Sequence, residues 1–199
     1  MATIRTLKGT FIKQSIVLSL VLGVSVSAMS DDFTSTKDFA ERGNAEAQYD
    51  LGWMYGTGEG VARDDTKAVE WFRKSAEQGN ADAQASIGFM YELGRGVPRN
   101  ESKAFEWTLK AAKQGLGEAQ YDISMKYFKG EGVAQDYTKA FEWCKKAADQ
   151  RVEKAYYILG VMYYKGLGVS QNNTKAKEWF GKSCDAGDRE GCAAYQQVK

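Results

Sequence analysis

The sequence predicts an all-α solenoid of helix–turn–helix repeats with a 36-residue period. Three observations carry this. Tryptophans stand at 71, 107, 143 and 179, and tyrosines at 55, 91, 127 and 163. Between them recur the loops Gly58-Glu59-Gly60-Val61, Gly94-Arg95-Gly96-Val97, Gly130-Glu131-Gly132-Val133 and Gly166-Leu167-Gly168-Val169. Self-similarity at a fixed period of this length marks a repeat array. Lys67-Ala68, Lys103-Ala104, Lys139-Ala140 and Lys175-Ala176 keep the same register.

Each unit reads as two helices. In the first unit, Ala47, Leu51 and Tyr55 are spaced by four and share a face, which predicts a helix from Ala45 to Gly56. The glycine loop stops it, because glycine accepts the left-handed conformation at a helix end. Asp64 or Asp65 can cap the next helix. In that helix Ala68, Trp71, Phe72 and Ser75 follow at i, i+3, i+4 and i+7. Gln78-Gly79 closes the unit. One such pair cannot bury its apolar face, so stacked neighbours must complete the core. Ala47, Ala83, Ala119 and Ala155 recur, as do Gly52, Gly88 and Gly160 with Ser124 in the third unit. These small residues let helices approach, with large aromatics such as Trp71 expected in the gaps. The units are expected at 43–78, 79–114, 115–150 and 151–186, after a partial helix over 29–42 and before a capping helix over 187–199.

Residues 1–28 read as a signal peptide. Arg5, Lys8 and Lys13 stand there without an acid. The apolar run Ile16 to Val26 is too short for a bilayer core of about 30 Å. Val26-Ser27-Ala28 supplies the small residues a signal peptidase needs. The expected mature chain is periplasmic or secreted, and has no membrane span. Loss of those three cations takes its formal charge from +1 to −2. It therefore lacks the basic excess of a nucleic-acid binder.

Composition also bounds the chemistry. The chain has no histidine, which removes the commonest general base and metal ligand. A nucleotide-binding glycine loop occurs once, after a strand; these occur four times, between helices. No cofactor, no metal and no enzymatic activity are expected. Of three cysteines, Cys184 and Cys192 flank Asp185-Ala186-Gly187, where a turn would bring them side by side. An oxidising compartment permits a bond; two free buried thiols are the alternative. Cys144 is left over, a half-buried thiol in the place that Phe72 and Phe180 take in other units.

These residues resemble the Sel-one-like repeat family, a relative of the tetratricopeptide repeats, over residues 43–186. The alanine, Leu-Gly, tyrosine, Gly-x-Gly-Val, Lys-Ala and tryptophan positions agree; Ser124 and Tyr156 depart from the pattern. The resemblance implies a right-handed solenoid whose concave face, made by the first helix of each unit, binds a protein or peptide partner. The matching positions are Glu46, Asp82, Glu118 and Lys154; Tyr49, Tyr121 and Tyr157; Trp53, Phe89 and Met125; Phe128 and Tyr164; Lys129 and Lys165. Such proteins serve as adaptors in bacterial envelope regulation and host interaction, and a monomeric scaffold is expected here. The first unit has seven acids and four bases, the last six bases and three acids. Such a gradient would orient a partner. Cys184 to Cys192 resembles the bridged helix pair of the Helicobacter cysteine-rich proteins. Those relatives are associated with penicillin binding and β-lactamase activity, which supplies an alternative, enzymatic reading. No Ser-x-x-Lys and no histidine are present to support it.

Overall fold

The computed structural model describes residues 26–198, with side chains from Asp32 onward. Residues 1–25 of the expected signal peptide, and so its charged and apolar parts, lie outside the described residues. Among these, every regular element is a helix. α1 spans Val26–Glu41. Four pairs follow: α2 Ala45–Thr57 with α3 Asp65–Glu77, α4 Ala81–Leu93 with α5 Glu101–Lys113, α6 Gly117–Lys129 with α7 Tyr137–Asp149, and α8 Lys154–Lys165 with α9 Asn173–Asp185. α10, Arg189–Gln197, packs on α9. The first members of the pairs are called A helices below and the second members B helices. Each pair packs internally and on the next, so the chain is a solenoid. No helix among the described residues is long and apolar enough to cross a membrane.

Helix boundaries follow the repeated sequence. Gly58, Gly94, Gly130 and Gly166 end the A helices in the left-handed conformation. Asp64, Asn100, Asp136 and Asn172 cap the B helices, each side chain accepting from the backbone N–H of the recurring lysine three residues on. Asp64 is thus the cap. Asp65 is the first helical residue and pairs with Arg63 and Arg95 instead. At the position of Gly79 and Gly115 the fourth unit has Arg151, at a φ of 64°. This is the sole non-glycine with positive φ among the described residues.

The core lies along the seams between helices. Leu51, Ile87, Ile123 and Leu159 stand in register and are fully buried. The gaps beside the helix glycines are filled differently from the expectation. A Cβ on Gly52 would lie 2.6 Å from the Phe72 ring, and one on Gly160 2.5 Å from the Phe180 ring. Gly88 faces the Thr108 hydroxyl in the same way, and Ser124 lies beside the Cys144 thiol. The partner residue is therefore the one after the tryptophan. The Ser124 departure is explained by size: a larger A-helix residue meets a smaller B-helix one. Cys144 is fully buried, not half-buried. Burial pushes its thiol up to about 12, with Ser124 only partly opposing, so it stays protonated and unreactive.

The tryptophans themselves are half-buried. Lys74, Lys110, Lys146 and Lys182 lie over the rings of Trp71, Trp107, Trp143 and Trp179 at 3.8–4.3 Å. The Lys-Ala pattern divides its work similarly. Its alanines are fully buried, while Lys67, Lys103, Lys139 and Lys175 cover Tyr55, Tyr91, Tyr127 and Tyr163.

A ladder of amides runs through the first three units. Gln48, Gln84 and Gln120 donate to the carbonyls of Ala40, Ala76 and Ala112 in the preceding helix. They accept from Gln78, Gln114 and Gln150. In the fourth unit Tyr156 and Ala186 replace both members, and Tyr156 packs against Trp179 instead. That pairing accounts for the departure at Tyr156.

Cys184 of α9 and Cys192 of α10 form a disulfide, with Cα atoms 4.4 Å apart. Gly191 lets the two helices meet, since a Cβ there would press on Ser183. Closing this short loop is expected to contribute about 2–3 kcal/mol. Mild reduction should therefore raise amide hydrogen exchange over 189–197 while leaving α4 to α7 protected. Unchanged exchange in α10 would show that the bridge holds nothing in place.

Candidate functional site

The A helices carry the expected binding residues, and the structure brings part of that set together. A cavity of about 350 Å3 opens across α2, α4 and α6. Trp53, Gly56 and Thr57 of α2 line one side, and Ala85, Ser86, Phe89 and Met90 of α4 the other. Asp122 of α6 lies at one edge, with Phe72 and Arg95 completing the wall. Periodicity explains the arrangement: Trp53 and Phe89 occupy the same place in successive helices, so stacking sets them side by side. Phe89 is 52% exposed. Tyr49 borders the site through the Ser86 hydroxyl; burial, and then Asp82, raise its phenol above the ordinary range.

The remaining positions spread along the array. Tyr121 and Phe128 are half-buried against the core around α7 and α8, and Tyr157 packs on Phe180. Phe128 also meets Tyr137, at the start of α7. Met125 is half-buried, whereas Tyr164 is 45% exposed. Glu46, Asp82, Lys129 and Lys165 are exposed. The charge gradient is partly neutralised where it was expected to act. Glu118 of the third unit and Lys154 of the fourth pair with each other at 3.3 Å. Lys129 lies 3.6 Å from Glu131.

Three residues escaped the sequence reading. Asp122 lies four residues after Glu118 on the same helical face, a spacing that identifies it in retrospect. Although Asp122 is exposed, its carboxyl is pushed up to about 6, first by desolvation between the helices and then by Glu92 and Glu118. Lys126 and Lys154 pull the other way. Lys126 occupies the register of the buried Met54, Met90 and Met162. Its side chain is only 6% exposed, and its ammonium reaches Glu92 at 2.6 Å. The stem fills the methionine place, and the ammonium at its end is held by the Glu92 carboxylate. Arg95 binds Asp65 at 2.7 Å and donates to the Gly56 carbonyl. Hydrogen bonds from Arg95 and Arg63 hold the Asp65 carboxyl well below the usual carboxylate range. The Arg95 charge is therefore cancelled inside the protein.

The comparisons agree with this architecture. The antigen c5321 of uropathogenic Escherichia coli, described as a protective antigen displaying an SLR fold, is 36% identical with a TM-score of 0.78. The match covers 80% of this chain and 34% of that one. A Sel1 repeat protein of Oxalobacter formigenes is 33% identical, TM-score 0.73, over 75% of this chain and 62% of that one. Cysteine-rich protein B of Helicobacter pylori is 26% identical, TM-score 0.51, over 66% and 94%. The chain thus spans a third of the first of these proteins and under two thirds of the second. No curated protein sequence matches it. The Sel1 repeat model matches residues 45–80, 81–116, 117–152 and 153–188, a frame two residues later than the one expected above. With four repeats matched in unbroken succession, the chain belongs to the Sel1 repeat family.

Proposed function

We propose that this protein is a periplasmic or secreted scaffold that binds a segment of a partner protein along its A-helix, concave face. Sel1 repeat proteins are generally protein-interaction scaffolds and typically non-catalytic. The disulfide and the likeness to the Helicobacter protein support an extracytoplasmic place. One observation carries the choice of face. Phe89 and Tyr164 lie exposed on it, beside the half-buried Trp53, Tyr121 and Tyr157. Aromatic residues of this kind anchor protein interfaces. The opposite face has its rings covered by lysines.

The test begins with affinity capture of partners from envelope and culture fractions by the protein as isolated from the producing cell. Paired substitutions then separate the faces. Phe89→Ala with Tyr164→Ala removes exposed rings without opening the core. Lys139→Ala with Lys175→Ala strips the B-helix face. The groove pair is expected to weaken binding by about 30-fold or more, and the lysine pair by less than about threefold. The reverse ranking would place binding on the B-helix face. N-terminal sequencing of the same material should find Met29 first; a chain beginning at Met1 would remove the case for export.

A further inference from the structure

The cavity between α2 and α4 has a composition that selects among ligands. Its walls are Trp53, Phe89, Ala85 and Met90, and it holds two charged groups. One, Arg95, is engaged by Asp65 through two hydrogen bonds of 2.7 and 3.0 Å. The other, Asp122, is not matched in this way. Glu92 of α4 and Glu118 of α6 crowd it, while Lys126 is bound to Glu92 and Lys154 to Glu118. The cavity therefore combines aromatic side chains with a carboxylate in a field of net negative sign. Aromatic faces attract cations through their quadrupole, and planar guanidinium groups stack on them.

We infer that the cavity lined by Trp53, Phe89 and Asp122 receives an arginine side chain of the partner segment, with Asp122 as its counter-ion. This rests on the reading of the A-helix face as the binding surface, and names the chemistry that surface selects. The guanidinium lies against the Trp53 and Phe89 rings, and its N–H groups face the Asp122 carboxylate. The apolar stem of the arginine covers Ala85 and Met90. Ser86 and Thr57 offer hydroxyls at the margin. A lysine satisfies the charge but not the stacking. A neutral or acidic side chain leaves the Asp122 charge desolvated without a partner.

The electrostatics add a signature. An Asp122 carboxyl that titrates at about 6 is charged at pH 7.5 and largely neutral at pH 5. Recognition of arginine should be present above that range and fade as pH falls through it. The groups facing Asp122, namely Glu92, Glu118, Lys126 and Lys154, set where the change occurs.

The experiment uses calorimetric titration of the full protein with a capped 12-residue peptide carrying one central arginine between leucines. Its controls replace that arginine with citrulline, the neutral isostere, or with glutamate. The arginine peptide is expected to bind at least about tenfold more tightly than the citrulline peptide at pH 7.5. That preference should vanish at pH 5 and in Asp122→Asn, and Phe89→Ala should weaken the arginine peptide by about tenfold. Equal binding of arginine and citrulline peptides, or no binding of any of them, overturns the inference. So does a preference that survives Asp122→Asn. These failures are distinguishable from failure of the broader reading. If a captured partner still depends on Phe89 and on the distant Tyr164, the face is right and only its chemistry is wrong.

Discussion

Gly132→Ala is expected to lower the stability of the protein by about 3 kcal/mol, combining a left-handed backbone penalty with steric overlap. Gly132 has a φ of 72°, and a Cβ on it would run into the backbone carbonyl of Glu101, in the first turn of the preceding B helix. Backbone at a capped helix start cannot turn aside as a side-chain tip can. Gly96 and Gly168 meet Asp65 and Tyr137 in the same manner. A control separates the two contributions. Gly115 has a φ of 93° but nothing within 4 Å of its would-be Cβ, so Gly115→Ala should cost only about 1 kcal/mol. Urea denaturation of the two variants measures the difference. Costs equal within about 0.5 kcal/mol would remove the claim that Gly96, Gly132 and Gly168 are needed for repeat stacking.

Ile123→Ala should cost about 3–4 kcal/mol, as for other fully buried aliphatic truncations. Ile123 has no exposed surface and packs with Ala111, Ala112 and Ala119. The buried alanines around it have no rotamers with which to fill a vacated space, so much of the cavity is expected to persist. The position also lies in the middle of the array. Because each repeat depends on its nearest neighbours, a weak central seam lowers the coupling between the two halves. Denaturation should therefore become broader as well as earlier, and amide exchange across α6 and α7 should rise first. A loss below about 1 kcal/mol with an unchanged slope would contradict both statements.

The sequence made the repeat legible because its markers are positions that backbone geometry demands. The loop glycines, the Asn and Asp caps and the Lys-Ala step each answer a local requirement, so each recurs at the full period. Partner choice inside the core was less visible. Trp71 draws attention by size, yet Phe72 fills the space at Gly52, and the tryptophan ring remains on the surface under Lys74. Which of two adjacent aromatics turns inward depends on helix rotation of a single residue, and periodicity alone resolves that poorly. The candidate site was legible as a face but not as a cavity. Asp122 shares its register with Asp50, Ser86 and Ile158, so the position is not held across the array and only one other unit repeats its letter. Its raised titration comes first from desolvation between stacked helices and then from Glu92 on a different helix, with Glu118 of its own helix adding to them. Lys126 looks like an ordinary surface lysine until its register with three buried methionines is known.

The size-matched contacts, Gly52 with Phe72, Gly88 with Thr108, Ser124 with Cys144 and Gly160 with Phe180, each lie within one unit. Between units, a Cβ on Gly96, Gly132 or Gly168 would instead fall on a main-chain carbonyl, which every residue type supplies. A unit therefore carries its size-matched pair with it, while its joint to the neighbour combines main-chain approaches at the loop glycines with ion pairs such as Arg95 with Asp65 and Lys126 with Glu92. Gene duplication or unequal crossing-over that inserts a whole 36-residue block leaves both kinds of contact intact, whereas an insertion out of phase breaks them at once. Length in such a chain is a quantity that heredity can change in integral steps, lengthening the groove without redesigning its parts.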